Sequence, residues 1–381
     1  MQYCHGLRYD LQVMLADKRV PWRLFLVALI AAVACCVGCR TSPEDAAPGS
    51  SEESVGSPTP LPTTERLVTP SLSTPTALPA SPRAEEVEAP SPRPSQAAAP
   101  SPEPSQSAAA VWCADEELLT GPTDVPLSSA YAPTPSHRDA ALEEVIRSSL
   151  GDEVDSYGVV VKNLVSGAVA EVNSHKPFET ASLFKLWVMY EVYKQVELDL
   201  VDMGEELLVT PYYASWDAGS LPVEVCDTLT VRHALWAMIT YSDNTSGFLL
   251  LDRVGPGNIN RDLQALGLTE SAFGQEDVIS TAADMALFLE MLVLGADVSR
   301  EASREMLDLM LAQKVRDRLP ALLPPGTEVA HKTGNLPEVT HDVGIVYAPQ
   351  PTYVIAVLSD RGGESEPIAV LSRAIYDYFN R

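Results

Sequence analysis

Fifteen of the chain's 31 prolines fall between residues 41 and 110, among positions that are mostly Ser, Thr, Ala and Glu. Proline has a fixed φ and no backbone N–H, so such a stretch cannot enter a helix interior or the middle of a sheet. It also carries too little apolar surface to offset the entropy of ordering it. Residues 40–112 are therefore expected to form a disordered, partly extended tether, with a near-repeat that begins at Ala89 and again at Ala99. A Pro-x-x-Pro ligand is the sharper reading of this segment and a spacer the plainer one. Folding is left to residues 113–381, which suit a single domain.

Charge narrows what that domain can meet. Against 26 Lys and Arg stand 52 Asp and Glu, a formal net charge of -26, and residues 113–381 hold 41 of the acids and 18 of the bases. No basic stripe is available for phosphates, so nucleic acid is excluded as a partner. Ahead of the tether, Lys18, Arg19 and Arg23 precede an uncharged apolar run from Leu24 to Gly38, which is short for a membrane span. With Cys39 it resembles a bacterial lipobox, so residues 1–39 are expected to be a lipoprotein signal peptide and Cys39 the lipidated residue. Cys36 stands where the lipobox usually has Leu; Cys35, after Ala32-Val33-Ala34, is the alternative site, and an uncleaved anchor helix the alternative reading. Each places the rest of the chain outside the cytoplasm, membrane-anchored at the bacterial cell surface or in the periplasm. There Cys113 and Cys226 form an even pair, candidates for a disulfide. No Cys/His cluster has metal spacing, and no metal or cofactor is expected.

The hydropathy pattern of the folded part runs strand, helix, strand. Residues 138–150 read as an amphipathic helix, and 157–164 with 168–172 as a hairpin across Val165-Ser166-Gly167. From Ser182 to about Leu198 the spacing of Leu183, Leu186, Trp187, Tyr190 and Tyr193 predicts a buried helix. Further helices are expected over 230–241, 244–254, 258–266, 281–294 and 300–313. Strands follow at 328–332, 341–347 and 352–359, then a helix at 366–380. The fold class is α/β (α+β): an antiparallel sheet flanked by terminal helices, with an inserted all-helical lobe.

Three short motifs carry chemistry. Ser182-Leu183-Phe184-Lys185 puts a hydroxyl at a helix start with an amine one turn on, on the same face. The helix N-terminus favours negative charge on the serine oxygen, and a lysine in a dry site can lose its proton and act as base. Ser242-Asp243-Asn244 follows between two helical patterns, and Lys332-Thr333-Gly334 ends a strand pattern. Together they resemble the SxxK, SDN and KTG motifs of class A β-lactamases and penicillin-binding proteins. The sequence resembles this β-lactamase/transpeptidase-like superfamily over roughly residues 137–381, and class A most closely in Thr230-Val231-Arg232 and Ile239-Thr240-Tyr241-Ser242-Asp243-Asn244-Thr245.

The resemblance implies roles. Ser182 would be the acylated nucleophile, Lys185 its base, and Ser242 the relay towards the leaving nitrogen. Asn244 would bind the substrate's side-chain amide, Lys332 supply positive charge, and Thr333 bond the substrate carboxylate beside Gly334. The backbone N–H groups of Ser182 and Asn335 would form an oxyanion hole. Two departures stand out. The family's Ω-shaped loop, whose glutamate activates the deacylating water, is cut short here; Glu270, Glu276 and Asp277 remain in it, and Glu276 is the candidate base. The arginine that commonly follows KTG is also missing, which leaves Arg361 as the nearest beyond it. Tyr212, Tyr213 and Trp216 are candidates either to wall the cleft or simply to pack.

The function implied is a β-lactamase class A-like acyl-serine hydrolase working through a Ser182 acyl-enzyme, with deacylation slowed by the short loop. The alternatives are a D-Ala-D-Ala carboxypeptidase or penicillin-binding protein, and a surface lipoprotein that binds β-lactams without turnover. Its partners would be a small-molecule β-lactam or a peptidoglycan stem peptide, and the membrane through the lipid anchor, with the protein a monomer.

Overall fold

The β-branched runs at the two ends of the folded part pair with one another, and the helical patterns between them close over one face of the result. The computed structural model describes residues 118–381 apart from residues 218–220, 222, 275 and 276. The expected signal peptide, Cys39, the tether, Cys113 and Glu276 lie outside the described residues. No described helix is long and apolar enough to cross a membrane.

In chain order the first elements are β1 (His137–Arg138), α1 (Ala140–Leu150), β2 (Tyr157–Asn163), β3 (Ala168–Val172) and β4 (Phe178–Glu179). A helical stretch follows with α2 (Lys185–Glu197), β5 (Glu206–Leu208), α3 (Pro211–Ala214), β6 (Thr228–Thr230), α4 (Val231–Thr240), α5 (Asn244–Val254) and α6 (Pro256–Leu266). Then come β7 (Ala272–Phe273), β8 (Val278–Ser280), α7 (Ala282–Leu294) and α8 (Arg300–Leu311). The chain closes with β9 (Glu328–Leu336), β10 (Val339–Tyr347), β11 (Thr352–Ser359) and α9 (Glu366–Phe379).

The main sheet has the order β1-β3-β2-β11-β10-β9 and is antiparallel except for the short β1–β3 contact. Its central strands are buried on both faces, which is why they read as continuous apolar runs rather than as alternation. Val159, Val161, Ile355 and Val357 pack with Leu142 and Ile146 of α1 and with Ile368 and Leu371 of α9. Val160, Val343, Val354 and Ala356 face the other way, into a larger core with Leu186 and Met189 of α2 and Met285 and Leu289 of α7. The expected sheet, terminal helices and helical lobe are all present. Strand β9 runs four residues beyond the expected end at Lys332, so KTG lies inside a strand rather than at its tip.

Residues 118–136 have no counterpart in the motif-based reading, yet they are pinned along the body. Leu119 N donates to Tyr213 Oη (3.2 Å), Asn258 Nδ2 donates to Pro122 O (2.8 Å), and Lys194 Nζ to Pro126 O (2.6 Å). Ser128 N donates to Asp262 Oδ1 (3.1 Å), and Thr134 N to Glu290 Oε1 (2.9 Å). Lys162 on β2 closes this run by donating to Thr134 O (3.1 Å) and Glu290 Oε2 (2.6 Å). These ties extend the folded unit ahead of the first expected helix, within the 113–381 range left to folding.

Candidate active site

Three junctions meet at one edge of the sheet: the turn into α2, the turn between α4 and α5, and strand β9. Each presents one of the sequence motifs.

Ser182 lies in a 3-10 turn, Ala181–Phe184, that feeds directly into α2. The preceding Ala181 sits at φ 48°, the left-handed region, which costs an L-residue about 1–2 kcal/mol and persists only where neighbours impose it. The neighbours are visible. Thr180 N donates to Val278 O of β8 (2.7 Å), and His341 Nε2 donates to Glu179 O (2.8 Å) while its Nδ1 accepts from Ser359 N (3.0 Å). Burial holds His341 neutral by pushing its pKa down to about 4. Gly334 completes the brace, because a Cβ there would stand 2.9 Å from Thr180 O. Ser182 is in the first turn, where backbone N–H groups lack the usual acceptor within the helix.

The second junction is strained in the same way, with Ser242 at φ 60°. Asp243 caps α5 by accepting from Ser246 N (2.7 Å) and is fully buried. The turn aims two acceptors at one amine: Lys185 Nζ donates to Ser242 O (2.6 Å) and Asn244 Oδ1 (2.7 Å). The side chain passes close over Gly247, where an added Cβ would lie 2.9 Å from Lys185 Cε. Burial drives the Lys185 pKa down to about 7 despite the opposing charge of Asp243. A lysine so tuned is roughly half neutral at pH 7 and can accept a proton.

From the third junction, Lys332 Nζ donates to Ser242 Oγ (2.8 Å) and Thr333 O (2.8 Å). It too is fully buried, and burial together with the Lys185 charge pulls its pKa well below that of a free lysine. Ser242 thus touches both lysines, one through its carbonyl and one through its hydroxyl. Ser182, Lys185, Ser242, Asn244, Lys332, Thr333, Gly334 and Asn335 all come together at this edge. Basic side chains are thus gathered at this edge of a strongly acidic domain.

Other expected residues behave differently. Glu270 is engaged by other partners: its carboxylate accepts from Thr281 Oγ1 (3.0 Å), and Oε2 lies 2.9 Å from His175 Nδ1, which holds the pKa below the ordinary glutamate range. Arg361 pairs with Glu153 (2.9 Å) and Glu364 (2.8 Å) at the surface. Tyr213 and Trp216 are core residues; Tyr213 Oη donates to Asp252 (3.1 Å), and the Trp216 ring lies 4.1 Å from that of Phe248. Cys226 is disulfide-bonded, with its partner outside the described residues.

An arginine that sequence reasoning missed stands at the site. Arg318, in the segment between α8 and β9, donates from Nη2 to Asn335 Oδ1 (2.5 Å) and from Nη1 to His341 O (3.0 Å), and is 3% exposed. It precedes Lys332 by fourteen residues with no local pattern to mark it, so only the fold could reveal it.

Comparison with known proteins gives a consistent picture. Residues 140–379 match the profile of the beta-lactamase enzyme family. The extended-spectrum beta-lactamase PER-1 of Pseudomonas aeruginosa is 24% identical over 279 residues, spanning 64% of this chain and 89% of that protein. Among solved structures, PBP-A has a TM-score of 0.60 at 25% identity and covers 65% of this chain and 99% of its own. A mutant of PBP-A, solved as an acyl-enzyme complex with penicillin G, has a TM-score of 0.61 at 27% identity, covering 65% and 98%.

Proposed function

The chain belongs to the beta-lactamase enzyme family, and on that premise we propose that it is an acyl-serine hydrolase in which Ser182 attacks the carbonyl of a β-lactam. Neutral Lys185 takes the Ser182 proton as the bond to the carbonyl forms. The N–H groups of Ser182 and Asn335 hold the oxyanion, a contribution of about 3 kcal/mol for each such donor. Ser242 Oγ then gives its proton to the leaving nitrogen and is resupplied through Lys185 or Lys332, and the acyl-enzyme results. Thr333, Lys332 and Arg318 hold the substrate carboxylate. The single observation that carries this reading is the fully buried Lys185 amine, hydrogen-bonded to Ser242 O and Asn244 Oδ1, a burial that lowers its pKa to about 7.

A second reading, a D-Ala-D-Ala carboxypeptidase, is supported by the likeness to PBP-A and by the short segment between α6 and α7, where Glu270 is committed to His175 and Thr281. Glu276 stays the proposed water base. Without an efficient base the acyl-enzyme persists, which suits either a slow lactamase or a non-turnover binder. We further propose export and lipid anchoring at Cys39, with residues 40–112 as the tether. Incubating the protein with a penicillin and following its intact mass over time tests the reading. We expect one adduct, mapped to the peptide containing Ser182 and absent from Ser182→Ala. An adduct that survives that substitution would reject the site.

A further inference from the structure

Behind the strand that carries Lys332 lies a pair the proposed chemistry does not use. His331 and Asp342 are both fully buried, on neighbouring strands β9 and β10. His331 Nδ1 lies 2.9 Å from Asp342 Oδ1 and 3.1 Å from Oδ2, and His331 Nε2 has no partner. Since a carboxylate only accepts, Nδ1 donates in this pair. Asp342 Oδ2 also accepts from Leu319 N (3.0 Å).

The surroundings make this pair expensive. Along β9 the side chains alternate, so Val329 and His331 face the layer of α1 and α9, whereas Ala330 and Lys332 face the helical lobe. That first layer is otherwise mostly apolar, with Leu319, Leu323, Ile368 and Leu371, and with Ser372 Oγ donating to Leu319 O (2.8 Å). Apolar residues of similar volume at both positions would pack there without desolvating a carboxylate. What they would not do is reach the two neighbours that Asp342 reaches. Leu319 follows Arg318 directly, so the bond to Leu319 N fixes the backbone that carries the guanidinium. His331 precedes Lys332 directly, so its bond fixes the strand that carries the amine.

We infer that Asp342 and His331 form a positioning pair for the two cations proposed to meet the substrate carboxylate, with Asp342 anchoring both segments and supplying the buried negative charge that keeps Lys332 an ammonium. The inference rests on the proposed reading of the site. The charged groups acting on Lys332 are Lys185 from α2, Arg318 from the preceding segment and Asp342 from β10; the first two oppose its protonation and Asp342 alone favours it. Its other neighbours, Ser242 Oγ and Thr333 O, are neutral. Removing the Asp342 charge therefore lets Lys332 lose its proton at a lower pH.

The test is the pH profile of penicillin acylation in wild type, Asp342→Asn, His331→Asn and His331→Leu, with thermal unfolding as a control for folding. For Asp342→Asn we expect the alkaline limb, where acylation is lost, to move down by about one pH unit or more, as for loss of an opposite charge a few ångströms away. The rising limb set by Lys185 stays. His331→Asn keeps an N–H where Nδ1 was and is expected to match wild type, whereas His331→Leu shifts the alkaline limb in the same direction as Asp342→Asn. If Asp342→Asn does not fold, the contrast between the two His331 variants decides. Folded variants that acylate with an unmoved alkaline limb overturn the inference. A wild-type protein that takes no penicillin would instead reject the underlying reading.

Discussion

The edge where α2, the turn between α4 and α5, and β9 meet differs sharply from the segment joining α6 to α7. At the first, two buried lysines and a serine interlock through bonds of 2.6–2.8 Å, and two residues sit at positive φ to allow it. In the second, Gly267 ends α6 in the left-handed conformation, and residues 267–281, which include β7 and β8, lead to the start of α7. The acid described at its start, Glu270, faces His175 and Thr281. One region is built to move protons at the nucleophile; the other shows no comparable arrangement among the described residues. In the proposed reading, forming an acyl-enzyme and releasing it need separate machinery, and the described residues supply the first.

That contrast can be broken most severely at the nucleophile and its base. Ser182→Ala is expected to abolish penicillin acylation, and Lys185→Ala to slow it on the order of 10³-fold or more, since removing a nucleophile or its base costs about that in serine hydrolases. Stopped-flow or quenched mass spectrometry reads both. Gly247→Ala probes the same lysine without touching a reacting atom. Its new Cβ would stand 2.9 Å from Lys185 Cε in a closed core, so the amine shifts, and acylation should fall roughly 10- to 100-fold, as for misplaced catalytic groups. Arg318→Ala should raise the penicillin concentration needed for half-maximal acylation about tenfold, the size expected for one charged hydrogen bond. The smallest effect sharpens the other side: Glu270→Gln should leave the acyl-enzyme lifetime within about twofold while lowering the thermal midpoint slightly, as loss of an exposed ion pair does.

How much of this was legible in the sequence differs by region for physical reasons. Long elements announced themselves because their apolar periods reflect burial on one or both faces, and α5 and β11 fall on their expected bounds. The two- and three-residue strands β4, β7 and β8 were not visible; they exist only because they pair with each other beside the nucleophile turn. The motifs were legible since SxxK, SDN and KTG are local strings. The parts that position them were not. Arg318, His331, Asp342 and the bracing His341 act through contacts between segments far apart in sequence, and a buried polar residue in a strand looks like any interruption of an apolar run. The strap at residues 118–136 was hidden for a related cause, as its ties are mostly backbone groups meeting distant side chains.

In the proposed chemistry Lys185, with its pKa lowered by burial to about 7, activates Ser182. The rate of penicillin acylation measured from pH 5 to 9 tests it most directly. Because burial lowers the Lys185 pKa to about 7, the base form grows as pH rises, so the rate should climb about tenfold per unit below 7 and level off above it, until the alkaline limb assigned to Lys332 begins. A rate that is flat across this range, or still climbing towards pH 9, would contradict the account.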